Sequence, residues 1–64
     1  MEIDLKTGKD IKKFRKLKNC SQGKFARAID ISATWVSKLE NGNKVIGDEV
    51  LLKIQMHKEN LESL

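Results

Sequence analysis

Proline and tyrosine are absent from this 64-residue chain, and cysteine, histidine and tryptophan occur once each. Each shortage excludes something. With Cys20 alone, no disulfide can staple the chain to itself, and Cys20 with His57 falls short of a tetrahedral zinc site. A lone thiol suits a reducing compartment, where it serves best as a small hydrophobe in the core. No apolar run approaches the roughly 18 residues of a membrane helix. The opening MEIDLKTGKD also lacks the apolar stretch of a signal peptide. The expected setting is therefore the cytoplasm, away from any membrane. Catalysis has no footing either: His57 stands alone, a buried Cys20 is a poor nucleophile, and no acid–base pair or glycine-rich phosphate loop occurs. The chain reads as no enzyme, with no cofactor and no metal. So short a chain buries only about 60% of its unfolded surface, so its elements must pack economically.

What is present is positive charge, unevenly placed. The net charge is +4. Residues 6–27 carry nine Lys or Arg against a single acid, Asp10, a balance of +8. Residues 28–64 carry four basic and six acidic side chains, and Glu2 and Asp4 are also acidic. One strongly basic half suits a polyanionic partner, although lysines along a helix also read as an ordinary solvated face.

Glycines and small polar residues punctuate the chain. In TGKD, Thr7 can cap a helix whose first turn holds Asp10, where a negative charge suits the helix dipole. Ile11, Phe14 and Leu17/Lys18 recur at helical spacing to about residue 18, and Asn19 fits a left-handed stop. Upstream, Ile3 and Leu5 alternate with Glu2, Asp4 and Lys6, the pattern of a short extended arm. Ser21 is a natural N-cap for a second helix, Gln22 to Ile29, with Phe25, Ala28 and Ile29 on its apolar face. Ser32 can cap a third, Ala33 to about Asn41, which Gly42 terminates. Asp48 opens a fourth helical pattern, whose Val50, Leu51, Ile54, Leu61 and Leu64 face either the core or a partner.

Two short helices joined by a tight turn form a helix-turn-helix. RKLKNCSQGKFARAIDISATWVSKLENG resembles the lambda-repressor-like family, which includes Cro and small phage and bacterial regulators. The likeness rests on Arg15, Ser21-Gln22, Phe25-Ala26, Ile31-Ser32, Val36-Ser37 and the Leu39-Glu40-Asn41-Gly42 ending, and it covers roughly residues 10 to 56. The expectation is a single helix-turn-helix domain over 1–64. Its fold is an all-α compact bundle of four helices, or five, with a short extended N-terminal arm. The motif occupies about 21–42, helix 1 about 8–18 and helix 4 about 47–60.

Helical geometry supports the likeness independently. At about 100° per residue, Val36 and Leu39 fall on one side of the third helix, and Thr34, Ser37, Lys38 and Asn41 fall opposite. Such a short polar front can enter a major groove. Candidate base readers are Ala33, beside a thymine methyl, Lys38, reaching guanine O6 or N7, and Thr34 and Ser37, which suit either base type. Candidate backbone contacts are Ser21, Gln22, Lys24, Ser32, Trp35, Asn41 and Lys44. Helix starts offer free N–H groups to phosphate, and the resemblance implies backbone contacts for Gln22, Asn41 and Lys44. Trp35 sits at the edge of the polar front, where relatives often carry an aromatic. Three readings stay open for it: an indole N–H on a phosphate with the ring packed near helix 2 or the following loop, a purely packing side chain, or an anchor for a protein partner. Glu40 points coreward and needs a cation, and the resemblance supplies Arg15 as a structural ion-pair partner.

Some positions depart from the family pattern. Gly23-Lys24 stands where many relatives carry acids, and Asp30 where they usually have a turn glycine. Ile46 stands near their proline, and the chain stops where they often have a fifth helix. Helix 4 is then expected to run long. The implied function is a sequence-specific duplex-DNA-binding repressor, a homodimer through its C-terminal region being one option. The alternative is a protein-interaction module on the same scaffold, an antirepressor or antitoxin that binds another regulator.

Overall fold

The computed structural model describes residues 4–42 and 45–64. Its helices are α1 (Gly8–Lys18), α2 (Gln22–Ala28), α3 (Ala33–Gly42), α4 (Asp48–Met56) and α5 (Lys58–Glu62). The expected all-α bundle is thus present, with five helices among the described residues.

Local chemistry fixes most of the boundaries. Thr7 and Asp10 form a complete capping box: the Asp10 N–H donates to Thr7 Oγ1 at 3.3 Å, and the Thr7 N–H to Asp10 Oδ2 at 3.2 Å. Lys6 N–H also donates to Asp10 Oδ2, at 3.0 Å. That Lys6 hydrogen bond, ahead of the contacts from Thr7, holds the Asp10 carboxyl below its ordinary range. Asn19 ends α1 in the left-handed region at φ 52°, a conformation short amide side chains tolerate. Ser21 Oγ accepts from the Lys24 N–H at 3.1 Å and so caps α2. Helix α2 stops at Ala28, one residue short of expectation, with Ile29 as its C-cap.

Ile11 and Phe14 of α1, Phe25, Ala26 and Ile29 of the α2 segment, and Val36 of α3 share one core with Leu5, Ile46, Val50, Ile54 and Leu61. Phe14 and Phe25 meet edge to face, their centroids 5.9 Å apart, the arrangement that ring quadrupoles favour. Each fully buried aliphatic or aromatic side chain contributes about 1.5–3 kcal/mol. Cys20, expected in the core, is only half-buried against its edge. Of Leu17 and Lys18, which both fit the helical spacing after Ile11 and Phe14, Leu17 is 76% exposed. The half-buried Lys18 takes the inward register instead, and its ammonium donates to the Glu62 carbonyl at 3.3 Å.

The long fourth helix is also corrected. At His57 the backbone leaves helical geometry (φ −111°, ψ 27°), closing α4 and starting α5. The turn brings α5 against α2, where Leu61 is fully buried and Asn60 Nδ2 donates to the Ala28 carbonyl at 3.2 Å. Val50, Ile54 and Leu61 therefore serve the chain's own core, with Leu51 and Leu64 packed partly against it.

Residues 1–3, including Ile3 of the expected arm, lie outside the described residues. The rest of the arm is docked: Leu5 is buried, the Ile46 N–H donates to the Lys6 carbonyl at 2.8 Å, and Thr7 pairs with Val45 in an isolated antiparallel bridge. Gly8, next along, lies directly against the end of α3. A Cβ there would overlap the Leu39 carbonyl and come within 2.9 Å of the Glu40 nitrogen. Glycine is needed at this position for close approach; its φ is not positive.

Candidate nucleic-acid interface

The outer side of α3 dominates this region. Ser32 Oγ accepts from the Trp35 N–H at 3.1 Å, capping the helix start. Val36 is fully buried and Leu39 half-buried, while Ala33, Thr34, Lys38 and Asn41 are exposed. Ser37 is half-buried, and its hydroxyl accepts from Asn41 Nδ2 at 3.3 Å. Asn41, expected at or beyond the helix end, lies in its last turn, and Gly42 is the last helical residue and not a left-handed cap beyond it. Lys44 lies outside the described residues.

On one flank of this front, α3 is tied to α1 and α2 through Glu40. Arg15 Nε donates to Glu40 Oε2 at 2.7 Å and Arg15 Nη2 to Oε1 at 2.8 Å, a two-pronged, charge-assisted contact. Gln22 Nε2 donates to Oε1 at 3.3 Å, and Arg15 Nη1 caps the Cys20 carbonyl at 3.1 Å. The Glu40 side chain is 3% exposed and that of Arg15 15%, so water does little to screen the pair. The Arg15 hydrogen bond, opposed in part by burial, holds the Glu40 carboxyl below its ordinary value and raises the Arg15 guanidinium. A single junction thus joins helix 1, the start of helix 2 and the end of helix 3.

The other flank is of a different kind. Trp35, 47% exposed, lines an apolar groove of about 410 Å³ with Ile31, Leu39 and Val50, and Asp48 and Glu49 at the start of α4 complete its wall. The ring therefore sits beside α4 and the end of the preceding loop, on the side away from the Gln22 junction. Lys53 also lines this groove; its ammonium lies 3.8 Å from Asp30 Oδ2 and donates to the Asp30 carbonyl at 3.2 Å.

A short helix capped by Ser21, a turn through Asp30 in the left-handed region (φ 62°), and a third helix with a bare polar front make a helix-turn-helix. A family profile described as Helix-turn-helix matches residues 11–55. The chain belongs to the lambda-repressor/Cro-like helix-turn-helix family. No curated protein and no solved structure matches it. This helix-turn-helix protein carries the fold of a DNA-binding regulator, and among the described residues no helix is long and apolar enough to cross a membrane.

Among the candidate backbone contacts, Ser21, Lys24 and Ser32 are exposed, and Gln22 is half-buried at the Glu40 junction. Two features are hardly visible in the sequence. The Gly8 contact leaves only a weak trace, a helix-unfavourable residue directly after a cap. Lys9, Lys12, Lys13 and Lys16, legible in the chain only as part of a basic half, line a shallow groove together with Glu40.

Proposed function

We propose that this protein is a sequence-specific duplex-DNA-binding regulator, a repressor that occupies an operator through the major groove. The observation that carries the reading is the pinned, capped α3 with a bare front of short polar side chains. A helix held this firmly can present donors and acceptors in a fixed register, as base readout requires. Ala33, Thr34, Ser37 and Lys38 read bases. Ser21, Gln22, Lys24, Ser32, Trp35, Asn41 and Lys44 hold the backbone, which positions the helix and supplies most of the affinity. Arg15 and Glu40 are structural. A homodimer belongs to the same reading: Leu52 and Met56, one turn apart on α4, are 59% and 68% exposed and suit a two-fold contact.

Selection of a randomised duplex library on the purified protein, at near-physiological salt, tests this. A palindrome with half-sites about one helical turn apart is the expected result, and no enrichment by folded protein refutes the reading. On the selected site, Lys38→Ala should relax preference at one or two positions, a loss of about 1–3 kcal/mol for the preferred base. Lys24→Ala should weaken all sequences alike and lower the salt slope by about one.

The groove at Trp35 favours a second reading, a module that binds another regulator through an apolar segment. High affinity for a repressor that survives high salt, with little affinity for duplex DNA, is the outcome that selects it.

A further inference from the structure

We propose that Lys9, Lys12, Lys13 and Lys16 of α1 form a second, sequence-independent phosphate track, which carries duplex DNA beyond the segment read by α3. This inference rests on the DNA-binding reading above and assigns a role to lysines that reading leaves idle.

The placement comes from helical spacing. At about 100° per residue the four lysines fall within an arc of about 100° on α1, opposite the buried Ile11 and Phe14. They line one shallow groove of about 440 Å³ together with Glu40. Glu40 is the one acid there, and its carboxylate is already occupied by Arg15 and Gln22. Among the described residues no acidic side chain forms an ion pair with any of the four. Lys13 lies near enough to Asp10, and Lys12 near enough to Glu40, to help lower those carboxyls, which leaves Lys9 and Lys16 the least compensated. An ordinary solvated face mixes both signs; this arc carries one.

Position gives the track its direction. Glu40 precedes Asn41 of the α3 front and touches Gln22 at the start of α2. The lysine groove therefore adjoins the edge of the reading face on which the Ser21–Gln22 helix start also lies. Where α3 enters a major groove, one wall of that groove falls against this edge. Lys9 and Lys16 are seven residues apart, about 10 Å along the axis. That is long enough to meet more than one phosphate of a single strand.

The test compares two duplexes carrying the selected site, one trimmed to its borders and one extended by about ten base pairs on each side. Binding is measured by fluorescence anisotropy from low to physiological salt for the full chain, for K12Q/K16Q, and for R27Q/K58Q, which loses the same charge elsewhere. K12Q/K16Q should match wild type on the trimmed duplex and bind the extended one roughly tenfold more weakly at the lower salt. Its salt slope on the extended duplex should fall by nearly two, at about 0.9 for each phosphate no longer neutralised. Base preference should not change, and R27Q/K58Q should keep the full gain from extension. Equal losses in both variants would reduce the effect to net charge and overturn the track. An undiminished gain in K12Q/K16Q would overturn it too, leaving the DNA-binding reading intact. If wild type selects no duplex at all, both fall together.

Discussion

The two flanks of α3 hold it by different physics. On the Glu40 flank, a nearly buried carboxylate receives two bonds from Arg15 and one from Gln22, and beyond it lies a face of lysines. On the Trp35 flank, the contacts are apolar and half open, with Asp48 and Glu49 at the edge. Directional bonds fix the rotation of a helix about its axis, whereas apolar contacts tolerate sliding. The difference implies a division of labour. The Glu40 flank sets where the polar front points, and the Trp35 flank can adjust to whatever lies against it.

The largest effect expected from breaking this contrast is on the rigid side. Glu40→Ala strands Arg15 in a poorly solvated site and removes the acceptor for Gln22, so stability should fall by about 3 kcal/mol. In a domain this small that is a loss of more than about 12 °C in melting temperature. Unchanged melting would sink the pairing as a structural element. The same pair sets an acid dependence. Because Arg15 holds the Glu40 carboxyl below its ordinary 4.5, the pair's contribution is complete above that value and disappears as pH falls through the lowered one. Glu40→Gln should therefore flatten stability against pH on the acid side of about 4.5. A residual slope from Asp10, shifted in the same direction, should survive.

Next in size is Gly8→Ala. The added carbon must displace the backbone at Leu39 and Glu40, an overpacking cost of about 1–3 kcal/mol. The α1 start and the α3 end should move apart, which loosens the Arg15–Glu40 geometry as well. Hydrogen exchange at the last turn of α3 separates this from a uniform loss: protection should drop there first. Exchange that rises evenly across all helices would argue against a local wedge.

These two residues also show what the sequence could disclose. Glu40 was legible as a coreward acid at the end of an amphipathic helix, needing a cation somewhere, and family resemblance supplied Arg15. Thr7, Asn19 and Ser21 were legible because capping is chemistry between residues two to four apart. Gly8 was not, since its role depends on a carbonyl about thirty residues away. The break at His57 was hidden for a similar reason: the apolar spacing from Val50 to Leu61 suits one continuous helix, and only docking on α2 requires the turn. The position after Phe14 stayed open between Leu17 and Lys18 because spacing alone cannot choose between a leucine and the long stem of a lysine for the inward register. The lysine face was visible as charge, yet nothing in the chain order places it beside Glu40.

On the adjustable flank, Trp35→Ala should cost less, about 1–2 kcal/mol, because the ring is half exposed and packs on one side only. Its larger consequence should be on binding. Trp35 is the sole tryptophan, so its emission reports this flank directly. Addition of the selected duplex should shift or quench it if the indole lies at the phosphates. Emission that stays constant while DNA binds would place the groove off the DNA and favour a protein occupant.

The smallest expected effect lies at the turn between α2 and α3. Asp30 occupies the left-handed region at φ 62°, which costs a residue with a Cβ about 1 kcal/mol even where a short polar side chain eases it. Its side chain is 83% exposed and 3.8 Å from Lys53, a surface pair that contributes little. The bond from the Lys53 ammonium to the Asp30 backbone carbonyl does not need the side chain. Asp30→Gly should therefore raise stability, by about 0.5 kcal/mol after the extra freedom of glycine in the unfolded chain is counted. That is a gain of about 2–4 °C. A loss of similar size would mean that the Asp30–Lys53 contact holds α4 against the Trp35 groove more firmly than its exposure suggests. The adjustable flank would then be pinned at both ends.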